Sequence, residues 1–211
     1  MQIELQSLRP YPIPEKFIPE SEIWEKNILI ESGRKCLLAA QSGKGKSTLL
    51  HILYGLRKDC SGETLLDGRS VFSHTPSEWE SLRKTRISLL FQDLKLFPWL
   101  SAIENIELIP EVNPEAPSIE EMLVQVGMEQ FCNQPIETLS FGQRQRIALL
   151  RCLRKPFDIL LLDEPFSHLD EENTNCVCRL VDQTLERNQA SLILSSLGDE
   201  PPINFDARFR L

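Results

Sequence analysis

The strongest local constraint on this chain is residues 40–48, AQSGKGKST, which lie between an apolar run at 36–39 and an apolar helical pattern at 49–56. A strand that passes through a glycine- and lysine-rich turn straight into a helix is the setting in which a loop can wrap phosphate. Ser42, Gly43 and Gly45 are small enough for successive backbone N–H groups to turn inward around anionic oxygens. The helix starting near Lys46 aims the positive end of its dipole at the same place. Lys46 adds a full charge that can reach the outer phosphates of a nucleotide, and the Ser47 hydroxyl is a ligand of the kind Mg2+ takes. Gln41, Lys44 and Thr48 complete the loop. Ala40 stands where such loops usually begin with glycine, at a point leaving a strand where a methyl group fits.

A second anchor is DILLLDEP at 158–165. It reads as a buried strand that delivers two carboxylates at its C-terminal end, the edge where open α/β sheets bind ligands. Asp163 is the candidate for holding Mg2+, directly or through water. Glu164 is the candidate for orienting or deprotonating an attacking water. Either motif alone is compatible with a solvated turn; together they predict a nucleoside triphosphatase.

Apolar runs at 28–30, 36–39, 87–91, 159–162 and 192–194 read as strands, and the last three are continuous, as strands buried on both faces are. Helical patterns follow Lys46, Ser101, Ser118, Phe141 and Asp170, with Ser140 and Asp170 as caps. Strands alternating with helices predict an α/β fold with a mostly parallel sheet. Prolines at 10, 12, 14 and 19 and at 110, 114 and 117 predict a loop-rich start and an irregular middle. A strand-like run at 207–211 ends the chain, with no appended regulatory domain expected.

Composition narrows the class of function. The 211 residues carry a net charge of −8 and 41% hydrophobic residues, enough for a buried core without the basic face of a nucleic-acid binder. The six cysteines, at 36, 60, 132, 152, 176 and 178, form no CxxC pair, so reduced thiols in an intracellular protein are expected. The N-terminal MQIELQSLRP has no apolar run of a signal peptide, and no stretch approaches the ~20 apolar residues of a membrane span. Any link to a membrane therefore has to run through a partner.

Residues 139–151, LSFGQRQRIALLR, resemble the signature of ATP-binding cassette (ABC) proteins, LSGGQ followed by an RQR-type helix start. Ser140, Gly142 and Gln143 match, while Phe141 replaces the first glycine. A P-loop kinase has no reason to carry this segment. The resemblance runs in family order over nearly the whole length. Gln92, in FQDLKLFPWLSAIENI, resembles the glutamine that senses Mg2+ and the γ-phosphate. FSHLD at 166–170 resembles the D-loop, with Asp170 its acidic member. Tyr11 stands about where the family stacks an aromatic on adenine, with Phe17 as the alternative.

The resemblance implies a P-loop NTPase with a RecA-like core, an N-terminal antiparallel β subdomain and an inserted α-helical subdomain. The core and β subdomain would span about 1–92 and 150–211, and the insert about 93–149. It implies ATP and Mg2+, with Ser47, Gln92 and Asp163 on the metal and Glu164, Lys46 and Gln92 in hydrolysis. It further implies a head-to-tail homodimer, each ATP lying between the P-loop of one cassette and Ser140, Gly142, Gln143 and Asp170 of the other. The partner would be a separate membrane permease, met near Phe97, Pro98 and Trp99, which puts the protein on the cytoplasmic face of the membrane.

One departure concerns catalysis. The family ends its last strand with Thr-His-Asp, but here the segment is SLILSSLGDE, with Ser196 or Leu197 at the histidine's place. His51, His74 and His168 do not fit that role and read as surface or helix-packing residues, so hydrolysis is expected either to be slow or to rest on Glu164 alone. The 91–106 segment looks most like the short ATPases of lipoprotein-releasing and macrolide-export systems, which implies export or extraction. A division-type permease that transmits force without cargo, or a soluble ABC ATPase, are the alternatives.

Overall fold

The computed structural model describes residues 1–198 and 200–211. Strands with no polar face need cover on both sides, and the three continuous apolar runs receive it. β6 (Ile87–Leu90), β7 (Ile159–Asp163) and β8 (Ser191–Ser196) join β3 (Lys35–Ala39) and β9 (Ala207–Arg210) in one parallel sheet, ordered β6-β7-β8-β3-β9. The sheet is the wall between two cores: Leu160, Leu162 and Leu194 face one, and Ile159, Leu161 and Ile193 the other. Register pairs Asp163 with Ser195, and Ala39 with Ser196. The C-terminal ends of β3, β7 and β8 therefore lie side by side, and the phosphate-type loop and the acidic pair leave the same edge.

A second, antiparallel sheet packs over α1 (Lys46–Leu53), in the order β2-β1-β4-β5. Its strands are β1 (Ile3–Pro10), β2 (Asn27–Ile30), β4 (Cys60–Leu66) and β5 (Arg69–Ser70). Residues 3–10 form the inner strand β1, which the apolar runs did not single out, while the proline-bearing stretch after it holds only one short helical turn before β2. The alternation of Ile3 and Leu5 is broken by a bulge between Gln6 and Arg9, where Ser7 takes a φ of 49°. Gly62 on β4 admits that bulge, since a Cβ there would sit 2.3 Å from the Ser7 carbonyl oxygen.

α2 (Pro76–Thr85) also escaped the apolar pattern, although Thr75-Pro-Ser-Glu78 is a capping box with proline in the first turn, and the structure forms it. Between β6 and β7 the chain forms α3 (Ala102–Glu107), α4 (Ile119–Gln125) and α5 (Phe141–Arg154), each opened by a serine cap. α6 (Glu171–Asn188) follows β7, capped by Asp170. All six cysteines are free, and among the described residues no helix is long and apolar enough to cross a membrane.

Candidate functional site

The loop after β3 takes its shape from two glycines, Gly43 at φ 82° and Gly45 at φ 98°. Gly45 precedes α1, and a Cβ on it would meet Ile13 and the Trp24 ring, each at 2.9 Å. Trp24 is fully buried, and its indole N–H donates to the Lys44 carbonyl at 3.2 Å. This indole floor under the loop has no signal in the sequence, where Trp24 stands in a proline-rich, irregular stretch. Gln41, Ser42 and Gly43 form the open crest. Ala40 continues the strand pairing, its N–H bonded to the Ser196 carbonyl at 3.2 Å, and so needs none of glycine's freedom.

Lys46 is 4% exposed, and a buried ammonium has to be partnered. Its Nζ donates to the Ala40 carbonyl at 2.6 Å and the Gln41 carbonyl at 3.3 Å, and pairs with Glu164 Oε1 at 3.2 Å. Asp163, buried, accepts from Ser195 Oγ at 2.6 Å. Glu164 adopts φ 51°, a left-handed conformation that costs a non-glycine residue about 1–3 kcal/mol. Ser195, a polar residue inside an apolar strand, takes the Glu164 N–H through both its carbonyl and its hydroxyl.

Ser47 lies in the first turn of α1 and Asp163 ends β7, two elements that pack together. Hydroxyl and carboxylate oxygens are hard donors of the kind Mg2+ selects, so the chemistry of this donor set fits that ion. Gln92 is exposed in the turn that follows β6, the strand beside β7. Arg57 links Thr48 Oγ1 at 3.1 Å to the Tyr11 carbonyl at 2.6 Å, tying Tyr11 to the base of the loop. Phe17 flanks the loop on another side, with Lys44 5.3 Å and Lys16 5.0 Å from its ring centre.

The remaining sequence candidates form a second cluster at the starts of α5 and α6. Ser140 Oγ accepts from the Gln143 N–H at 3.3 Å, and Gln143 Oε1 from the Ser140 N–H at 2.8 Å, so both side chains serve a capping box. Gly142 is held by close approach, because a Cβ there would lie 2.7 Å from the His168 carbonyl oxygen. Phe141, in the usual glycine place, packs at a tilt against the His168 ring with centroids 4.2 Å apart. Asp170 caps α6, and the Asn173 main-chain N–H holds its carboxyl below the usual carboxylate range.

Two clefts flank this edge of the sheet. One, of about 680 Å3, opens beside Glu164 and is lined by Ser167, Ser195, Leu197 and Pro201. The other, of about 740 Å3, lies along Ala40, Gln41, Lys44 and Gly198. The end of β8 carries Ser196 and exposed Leu197, as the sequence indicates, while His51 packs on Phe91 and His74 on Trp79. Trp99 is 69% exposed, in T-shaped contact with Phe97, which excludes a buried aromatic cluster at that position. Buried Asn105 holds the loop beneath them, accepting from the Phe97 N–H at 2.8 Å and donating to the Phe97, Leu100 and Ser101 carbonyls.

Comparison with known proteins agrees with this geometry. A family profile described as ABC transporter matches residues 25–167. The thiamine import ATP-binding protein ThiQ of Vibrio vulnificus is 34% identical over 178 residues, covering 82% of this chain and 74% of its own length. The ABC transporter ATP-binding protein YtrE of Bacillus subtilis is 28% identical over 190 residues, covering 88% and 82%. A dimeric post-hydrolysis structure of the ATP-binding cassette MJ0796, bound to ADP and Pi, matches with a TM-score of 0.75 and 27% identity over 92% of this chain and 87% of that one.

The Gly45 geometry makes a direct prediction. Gly45→Ala forces a left-handed alanine against Trp24 and is expected to weaken binding of a fluorescent ATP analogue by about tenfold. Undiminished binding would contradict the role given to this loop.

Proposed function

This chain belongs to the ABC transporter family, and from that premise we propose that it is the ATP-hydrolysing motor subunit of a transporter whose permease is a separate chain. Its fold is that of an ABC ATPase. The observation that carries the reading is the meeting of Lys46, Asp163 and Glu164 at one sheet edge, directly under a loop shaped for phosphate.

In this reading the outer phosphates of ATP take over the Lys46 ammonium, using donors that now go to Ala40, Gln41 and Glu164. The Glu164 carboxylate, released from that pair, orients and deprotonates the attacking water. Ser47, Asp163 and Gln92 are the residues that would hold Mg2+, which would supply charge neutralisation at the phosphates. Residues 40–48 wrap the phosphates, and Tyr11 is assigned to adenine, with Phe17 placed to substitute. Ser140, Gly142, Gln143 and Asp170 are assigned to the nucleotide of a second cassette in a head-to-tail homodimer, which the exposed start of α5 leaves free to form.

The segment of about 93–149 is assigned to the helical insert, and its exposed Phe97 and Trp99 to the permease contact. That contact would hold the protein on the cytoplasmic face of the membrane. The permease sets cargo and direction. Export or lipoprotein extraction follows from the 91–106 segment. Import is the second reading, favoured by the 34% identity to a thiamine import ATP-binding protein.

Two measurements test this function. Glu164→Gln is expected to lower ATP turnover by about 10²–10⁴-fold, the scale of a lost general base, while ATP binding persists; unchanged turnover would sink the assignment. The chain is also expected to co-purify from solubilised membranes with a multi-span protein and to lose it on Trp99→Ala. Recovery of ribosomes or DNA-repair factors instead would overturn the transport reading.

A further inference from the structure

Glu164 holds a backbone conformation that its side chain does not favour, so its neighbours have to impose it. Ser195 secures the N–H from β8, at 3.2 Å and 3.1 Å. The carbonyl oxygen is secured from the opposite side by two side chains. Gln145 on α5 donates to it from Nε2 at 2.9 Å, and Ser167 donates from Oγ at 3.2 Å. Ser167 Oγ in turn lies 2.9 Å from His168 Nδ1, and the His168 ring packs on Phe141 at the start of α5. With the serine proton given to Glu164, this network requires His168 to donate through Nδ1.

Gln145 is 3% exposed, and its Oε1 has no hydrogen-bond partner among the described residues. A buried amide with one unpaired acceptor is a poor filler of space, because the unmade bond carries a desolvation cost that a hydrocarbon side chain avoids. What the amide supplies that a methionine or leucine cannot is a donor to the Glu164 carbonyl from α5.

We propose that Gln145 is a positioning residue: its amide fixes the backbone of Glu164 and so sets the direction of the carboxylate from the start of α5. The inference rests on the reading of Glu164 as the hydrolytic carboxylate. Phe141, His168 and Ser167 form a second link from the same helix start to the same carbonyl oxygen. A displacement of the first turns of α5, where Ser140 and Gly142 are assigned to nucleotide, therefore reaches the carboxylate of the same cassette.

Gln145→Met keeps the length of the side chain and removes the donor. Its kcat for ATP hydrolysis is expected to fall about tenfold, the effect of a misdirected reacting group, with KM for ATP changed less than about twofold. In a double-mutant cycle with Glu164→Gln, the two losses are expected not to multiply, because both act on one carboxylate. Ser167→Ala alters an exposed residue and is expected to lower kcat about threefold with the same lack of additivity. It carries the test if Gln145→Met does not fold. Unchanged kcat, an equal rise in KM, or losses that multiply would overturn the proposal while leaving the role of Glu164 standing. Full turnover by Glu164→Gln would overturn both.

Discussion

The buried ion pair between Lys46 and Glu164 is the constraint on which the site depends. An ammonium that is 4% exposed cannot stand alone, and its partners come from the two loops that leave β3 and β7. Those strands are not neighbours: β8 lies between them. The pair therefore spans β8, and Ser195 on β8 steadies the acidic side by bonding both Asp163 and the Glu164 N–H. A phosphate chain arriving at the loop meets a cation whose present partners are two carbonyls and one carboxylate, groups that a stronger anion can displace.

What the sequence showed best were features set by local chemistry. The loop at 40–48, the acidic end of β7 and the serine caps of α3, α4 and α5 are short motifs whose residues act on their own backbone. The continuous apolar strands were equally plain, since burial on both faces leaves no alternation to misread. α2 was legible in its capping box but was hidden by the search for apolar periodicity. β1 was hidden by its bulge and by the prolines that follow it.

The parts that escaped reading are those made by tertiary contact. Trp24 supports the loop from 20 positions away in the chain, and nothing in its surroundings says so. Ser195 was visible only as a polar residue in a buried run, and its purpose appears once the register pairs it with Asp163. Gln145 sits inside a recognised motif, yet its bond to the Glu164 carbonyl depends on how α5 lies against the loop after β7. Gln143 was read for nucleotide alone, and the structure also gives it a capping task, its Oε1 accepting from the Ser140 N–H.

The departures from the family pattern have local physical accounts. Ala40 extends a strand, and Phe141 gains a packing partner in His168. The end of β8 offers hydroxyl groups in place of an imidazole, which is why the proposed function assigns the hydrolytic step to Glu164. The central claim, that recognition at this edge is recognition of phosphate, is tested most directly by calorimetric titration of the protein with ATP and with AMP. The account predicts that ATP binds at least about a hundredfold more tightly, because charge-assisted bonds from Lys46 and the loop go to the outer phosphates. Equal affinities for the two nucleotides would contradict it.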